Sequence, residues 1–169
     1  MSRTSSSLNE LVFRSYIVMW LETLIKYIQQ IEKSGVEDAW SIMAKIQWRD
    51  GRQWIKENMS RIGLKGDDAE SVVELVRLGL QTLSPGLYSK REFNVVEASP
   101  EKAVIEITAW CPVIDAAKKM KLDAGMLLEY ILIPRLQGIL QSVNPKLNIS
   151  VGDVDKSGAR WSLIVEMMD

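Results

Sequence analysis

The chain has 169 residues, of which 47% are hydrophobic and 25% are charged. Its 21 Lys and Arg residues balance 22 Asp and Glu residues, and this near-neutral charge argues against a nucleic-acid partner. Histidine is absent and cysteine occurs once, at Cys111, which excludes Ser-His-Asp and Cys-His catalytic couples, His-ligated zinc and an internal disulfide. We therefore expect a globular domain with no metal and no cofactor.

The first seven residues are polar and include a run of three serines, Ser5 to Ser7, so residues 1–7 are predicted to be a disordered tail. Residues 8–169 have the length of a single α+β domain. No apolar run approaches the ~18 residues that a membrane helix needs, and no secretory signal opens the chain. Together with the one cysteine, these features predict a cytoplasmic protein without a membrane partner.

The first half of the chain has the apolar spacing of amphipathic helices. The predicted helices span residues 8–33, 37–48, 52–62 and 69–83. Asp50-Gly51 is predicted to be the turn between the second and third helices, and Asp67 or Asp68 to cap the fourth. Ser84-Pro85-Gly86 is predicted to end this helical layer.

After residue 92 the apolar period changes from 3.6 to 2, which indicates strands. The predicted elements are a strand pair at 93–95 and 103–111, helices at 112–120 and 124–142, and a strand pair at 147–151 and 161–165. Asp123 is expected to cap the second of these helices. The order ααααββααββ favours an α+β fold, in which the N-terminal helical layer packs on an antiparallel sheet.

Cys111 is the only strong nucleophile in the sequence. It ends a predicted strand and precedes a predicted helix, and a helix N-terminus lowers the pKa of a thiol because its backbone N–H groups favour the thiolate. In the absence of histidine, the general base would be a carboxylate such as Asp115 or Glu129, or a water. The alternative is that Cys111 is a core residue, because it shares strand parity with Ile105 and Ile107.

Aromatic residues supply the candidate ligand contacts. Trp40, Trp48 and Trp54 fall in one helical region beside Arg49 and Arg52, so they either line a ligand pocket or belong to the core. Trp110 lies on the strand face opposite Cys111, where it is a candidate pocket wall or interface residue. Pro134 is expected to kink the helix over 124–142, and this kink would reorient Glu129, Tyr130 and Arg135.

Two acidic segments are better explained without a metal. Asp153 to Gly158 imitates the start of a calcium loop, but Ile164 stands where a bidentate carboxylate is required, so a hairpin turn is favoured. Asp67, Asp68 and Glu70 cluster at a helix start, where acidic residues cap the helix and complement its dipole.

The segment Trp110-Cys111-Pro112, the proline-containing helix after it and Asn144-Pro145-Lys146-Leu147 before the closing strand pair resemble the L-2-amino-thiazoline-4-carboxylic acid hydrolase-like family. Ala39-Trp40 and Gly66-Asp67-Asp68-Ala69 are also similar to that family, so the resemblance covers about residues 35–167. It implies hydrolytic opening of a small heterocyclic amino acid, with Cys111 as the only site residue carried over. It extends to 4-vinyl-reductase-type and TRAPP-like domains, which bind small hydrophobic ligands or partner proteins.

Two functional hypotheses follow. The first is a small-molecule-binding domain of the hydrolase-like type, non-catalytic or a hydrolase, with a pocket between the sheet face near Cys111 and the helices that carry Trp40 and Glu129. The second is a homodimeric interaction or sensor module without enzymatic activity, which pairs through the helix over 8–33. In the first hypothesis Cys111 is the catalytic candidate, and the candidate ligand-binding residues are Trp40, Trp110, Asp115, Glu129, Tyr130 and Arg135.

Overall fold

A computed structural model describes residues 3–36, 38–83, 91–155 and 157–169. Helix α1, Arg3–Lys33, confirms the long N-terminal helix and begins five residues earlier than expected. One side of α1 is buried, at Val18, Leu21, Ile25 and Ile28. This spacing of three and four residues places the four side chains on the face that packs against the rest of the domain.

The prediction of two helices with a turn at Asp50-Gly51 is wrong, because one continuous helix, α2, spans Ala39–Asn58. Gly51 lies inside α2 and is buried against the backbone of Arg135, where an added Cβ would lie 2.0 Å from the carbonyl oxygen. The glycine therefore permits a close helix crossing and does not form a turn. A short 3₁₀ turn, Met59–Arg61, follows α2.

Helix α3, Val73–Leu83, begins four residues later than predicted. The residues before it form turns, in which the Asp68 carboxylate accepts a hydrogen bond from the Ser71 backbone N–H at 2.8 Å. Hydrogen bonds to Ser71 hold the pKa of Asp68 below its ordinary value. Within the described part of the chain, three α-helices rather than four therefore precede the sheet. The predicted stop at residues 84–86 lies outside that part.

The four predicted strands form one antiparallel sheet, which confirms the α+β fold class. The strands are β1 (Phe93–Ala98), β2 (Lys102–Ile107), β3 (Leu147–Val154) and β4 (Trp161–Met167), in the spatial order β1-β2-β4-β3. On β2, Ala103, Ile105 and Ile107 are buried on the face that carries the core, as the alternating pattern predicts.

The predicted helix over 112–120 is confirmed as α4, Pro112–Met120, with proline in the first turn. The predicted helix over 124–142 is divided into α5 (Ala124–Leu127), a single π-helical turn (Leu128–Leu132) and α6 (Ile133–Gln141). Asp123 caps α5 by accepting a hydrogen bond from the Met126 N–H at 2.6 Å. The π turn ends two residues before Pro134, which has no N–H and therefore cannot donate the hydrogen bond of a regular helix at this point.

The core is continuous between the helices and one face of the sheet. α2 packs along α6, and α1 packs against α4. Trp161 of β4 is fully buried, and its indole N–H lies 3.4 Å from the carbonyl oxygen of Ala109. This contact connects the centre of the sheet to the segment that leads into α4.

Candidate functional site

A cleft of about 380 Å³ opens where α1, α2 and α4 meet the π turn and the start of α6. We call it the Arg135 cleft. Its lining residues are Tyr16, Ile17, Trp20, Leu21, Gln47, Asp50, Thr82, Pro112, Val113, Ile131 and Arg135. A concave site of this size, with a mainly apolar lining and a few polar groups, is typical of a small-molecule site.

The apolar wall of the cleft comes mostly from α1. Tyr16 and Trp20 are one helical turn apart, so their side chains lie side by side along the helix. Trp20 is 54% exposed, although tryptophan is ordinarily well buried. Buried Val113 and Ile131, from α4 and the π turn, complete the wall. The wall of the cleft is therefore an aromatic and aliphatic surface.

The polar end of the cleft is built around Arg135, which is only 9% exposed. Its Nη1 forms an ion pair with Oδ2 of Asp50, and its Nε lies 3.3 Å from the Thr82 hydroxyl, which in turn donates to the Gly79 carbonyl oxygen. Burial lowers the pKa of Arg135 from its ordinary value. Arginine titrates so far above neutral pH that the guanidinium keeps its charge in the cell.

Of the sequence-predicted site residues, Arg135 alone lines this cleft. Trp40 and Tyr130 are brought together elsewhere, with ring centroids 5.6 Å apart and planes inclined by 44°. The guanidinium of Arg14 lies over the ring of Trp110, 5.0 Å from the ring centroid. Glu129 is exposed on the π turn, and Asp115 lies in the first turn of α4. Ligand-binding roles for these residues remain predictions.

Cys111 occupies the predicted position immediately before α4, and its side chain belongs to the core, with 2% exposure. The two residues that follow it, Pro112 and Val113, line the cleft. A dissolved substrate has no route to the thiol in this conformation. A catalytic role for Cys111 remains a prediction that requires the α4 entry to open.

A second depression, which we call the α2 groove, lies between α2 and the end of α6, with a volume of about 600 Å³. Trp48 is part of its lining and donates its indole N–H to Gln141 at 3.0 Å. The guanidinium of Arg52 lies 4.8 Å from the Trp48 ring centroid. The Trp48–Arg52 contact lies in the helical region whose tryptophans were predicted either to line a ligand pocket or to belong to the core.

Sequence reasoning missed Tyr16, Trp20, Asp50 and Thr82. The first two carried a detectable signal, because two aromatic residues four positions apart lie on one side of a helix. Asp50 and Thr82 carried none, since their relation to Arg135 depends on how α2 and α3 pack against α6.

Within residues 3–36, 38–83, 91–155 and 157–169, no group of three or more Cys, Asp or Glu residues is arranged to hold a metal ion. The Asp155 carboxylate accepts hydrogen bonds from the Ser157 hydroxyl at 2.9 Å and the Ala159 N–H at 3.1 Å, which is the geometry of a turn. None of the described helices combines the length and apolar character that a membrane crossing demands.

Comparisons with known proteins show the fold. No protein-family model matches the chain, and no curated protein sequence matches it significantly. Its fold is similar to trafficking protein particle complex subunit 3 from Naegleria fowleri covalently bound to palmitic acid, at 14% identity and a TM-score of 0.56 over 96% of this chain and 97% of that chain. It is also similar to the phenol-responsive sensory domain of the transcription activator PoxR with phenol, at 12% identity and a TM-score of 0.57. This similarity covers 89% of this chain and 74% of that chain.

Proposed function

We propose that this chain is a small-molecule-binding domain and that the Arg135 cleft is its ligand site. The observation that carries the proposal is the nine-tenths buried guanidinium at the end of a cleft that is otherwise lined mainly by aromatic and aliphatic side chains. Desolvating a charged side chain costs free energy, and folds keep such groups where they form specific contacts. The combination suits a ligand with an apolar body and one polar group.

Two structures of similar fold support a small-molecule function. One is a trafficking subunit covalently bound to palmitic acid, and the other is a sensory domain with phenol. Each of these molecules joins a hydrocarbon part to one oxygen-bearing group. The proposal extends to the aminothiazoline-carboxylate hydrolase-like type on the basis of Trp110-Cys111-Pro112 at the α4 entry. It does not extend to catalysis, because Cys111 is buried. A cytoplasmic location is part of the proposal and rests on the single cysteine.

Trp20→Ala tests this site, because it removes the largest side chain of the cleft wall. We expect about tenfold weaker binding of any ligand found among small aromatic acids and alcohols, since a buried aromatic contact contributes about 1 kcal/mol beyond the area it covers. Isothermal titration calorimetry measures the change. Tyr27→Ala is the matched control: Tyr27 is a similarly exposed aromatic residue on α1, at 61%, but does not line the cleft. Equal affinity for the two variants would contradict the assignment.

A homodimeric interaction module is the second candidate, and the exposed side of α1 favours it. Eight large apolar side chains on this helix are exposed, and seven of these, all but Leu11, lie on one side of it. They are Val12, Phe13, Tyr16, Met19, Trp20, Tyr27 and Ile31, which we call the α1 apolar face. At ~100° per residue they fall within an arc of about 120°, opposite the buried side of α1, and span about 28 Å of the helix.

The size of this face suits a second copy of the chain. The four aromatic residues alone expose on the order of 400 Å², since each side chain offers roughly 200 Å². With the three other residues the face reaches about 700 Å², close to the ~800 Å² that each partner buries in a standard interface. The largest apolar patch of a typical monomer covers about 300–600 Å².

Tyr27→Glu tests the dimer without altering the cleft, because Tyr27 does not line the cleft and the change places an unpaired carboxylate on the α1 apolar face. We expect the dimer dissociation constant to rise by about 100-fold or more, since burying an unpaired charge costs several kcal/mol. Sedimentation equilibrium gives the constant. The control is Val96→Glu, which adds the same charge at a 61% exposed position of β1. A wild-type monomer at high concentration would contradict the dimer.

A further inference from the structure

The hydrogen-bond donors of Arg135 are not all used within the protein. Its Nε lies 3.3 Å from the Thr82 hydroxyl, and its Nη1 pairs with Asp50. Among the residues that the structure describes, no other side chain hydrogen-bonds to this guanidinium, and Arg14 Nε is the one fully enclosed side-chain nitrogen or oxygen without a partner. Any guanidinium nitrogen of Arg135 that lacks a partner is therefore not enclosed. Arg135 lines the cleft, so such an N–H group is available to a molecule inside it.

The partner of Arg135 lies at the edge of the cleft rather than inside it. The side chain of Asp50 is 57% exposed, whereas that of Arg135 is 10% exposed. The carboxylate of Asp50 can therefore turn into solvent and leave the guanidinium in place. An anionic group inside the cleft would then replace it and form the paired N–H···O contacts for which the guanidinium fork is suited.

We propose that the ligand of the Arg135 cleft is a small monocarboxylate with an apolar body, and that Arg135 binds the carboxylate. This inference rests on the proposed ligand site and specifies the chemical class of its ligand. The apolar body contacts Tyr16, Trp20 and Ile131, and the carboxylate lies at the end formed by Arg135 and Thr82. Among the described residues of the lining, Asp50 and Arg135 are the two charged ones, so Asp50 competes with the ligand for the guanidinium.

The competition between Asp50 and the ligand makes a distinctive prediction. Asp50→Asn removes the competing charge and keeps the shape of the side chain, so it is expected to tighten carboxylate binding about fivefold or more. Arg135→Gln removes the guanidinium and is expected to weaken carboxylate binding about tenfold or more, since hydrogen bonds to charged groups are roughly twice as strong as neutral ones. Neither change is expected to alter the binding of a neutral alcohol of the same shape by more than about twofold.

The experiment is isothermal titration of the wild-type protein and both variants with 4-phenylbutyrate and 4-phenylbutanol, which share an apolar body and differ in the polar end. Asp50 is exposed, so Asp50→Asn keeps the test valid even if Arg135→Gln fails to fold. Opposite effects of the two variants, confined to the acid, would support the proposal. Equal binding of acid and alcohol, or weaker acid binding in Asp50→Asn, would overturn it while leaving the cleft as a ligand site. Absence of binding by either probe to any of the three proteins would reject the ligand site itself.

Discussion

Gly138→Ala is expected to destabilise the protein by about 3 kcal/mol. Gly138 lies in α6 against α2, where an added Cβ would stand 2.1 Å from the carbonyl oxygen of Trp48. The position of the Cβ is fixed by the α6 backbone and the oxygen belongs to the α2 backbone, so no side chain can move aside and the two helices must separate. Overpacking of this kind costs about 1–3 kcal/mol or more, which exceeds the ~1 kcal/mol that alanine gains over glycine within a helix.

Chemical denaturation measures this loss, and Gly63→Ala provides the control. An added Cβ at Gly63 meets no atom within 4 Å, so this change is expected to leave the free energy of unfolding within about 0.5 kcal/mol of wild type. Gly51→Ala is expected to behave like Gly138→Ala, because its Cβ would meet the backbone of Arg135 from the other helix. An unchanged stability of Gly138→Ala would show that α2 and α6 do not approach this closely.

The same crossing organises the ligand site. Asp50 precedes Gly51 in α2, and Gly51 contacts the backbone of Arg135. The helix crossing therefore brings the Asp50 carboxylate next to the Arg135 guanidinium. A variant that separates the helices should therefore weaken ligand binding as well as stability. Calorimetric titration of folded Gly51→Ala with 4-phenylbutyrate would reveal this coupling.

Trp161→Ala is expected to cost about 3–5 kcal/mol of stability, the usual range for removing a large buried aromatic side chain. Trp161 is fully buried at the start of β4, pairs in register with Ile107 of β2, and directs its indole N–H toward the carbonyl oxygen of Ala109. Its removal leaves a cavity beneath the segment that leads into α4. For a domain of this size the melting temperature should fall by about 10 °C or more.

Trp161→Phe distinguishes the stability that comes from the volume of the side chain from the stability that comes from its N–H contact with Ala109. Phenylalanine keeps an aromatic ring in the core but lacks the N–H, so we expect a smaller loss than for alanine. Trp20→Ala is the matched control for tryptophan removal, because Trp20 is half exposed and should cost less than about 1 kcal/mol. Similar melting temperatures for Trp161→Ala and Trp20→Ala would contradict the burial of Trp161.

The sheet and most helix positions could be predicted because each depends on local spacing. Alternation along β2 identifies the side that the structure buries. On α1 the apolar spacing predicts the helix but not its buried side, because Val12, Met19 and Ile31 are exposed. Asp50-Gly51 misled the prediction, since the pair is typical of a turn in isolation. Its true role appears only when a second helix backbone, that of Arg135, lies against the glycine.

The candidate site was predictable only in part, for the same reason. Arg135 was identified through its neighbour Pro134, although the local geometry is a π turn rather than a simple kink. Asp50 and Thr82 reach Arg135 from helices 85 and 53 residues away in sequence, and no local pattern specifies that meeting. Cys111 had a favourable position at the start of α4, but only the packed core determines the exposure of its thiol.

Nuclear magnetic resonance can test directly whether the Arg135 cleft binds a small molecule. The spectrum of the ¹⁵N-labelled protein during titration with 4-phenylbutyrate reports the indole N–H of each tryptophan and the Nε–H of Arg135. We predict that the Trp20 and Arg135 signals shift together, with the Trp48 and Trp54 signals unchanged. Shifts centred on Trp48 and Arg52 in the α2 groove, or no shift at Trp20 and Arg135 at saturating ligand, would contradict it.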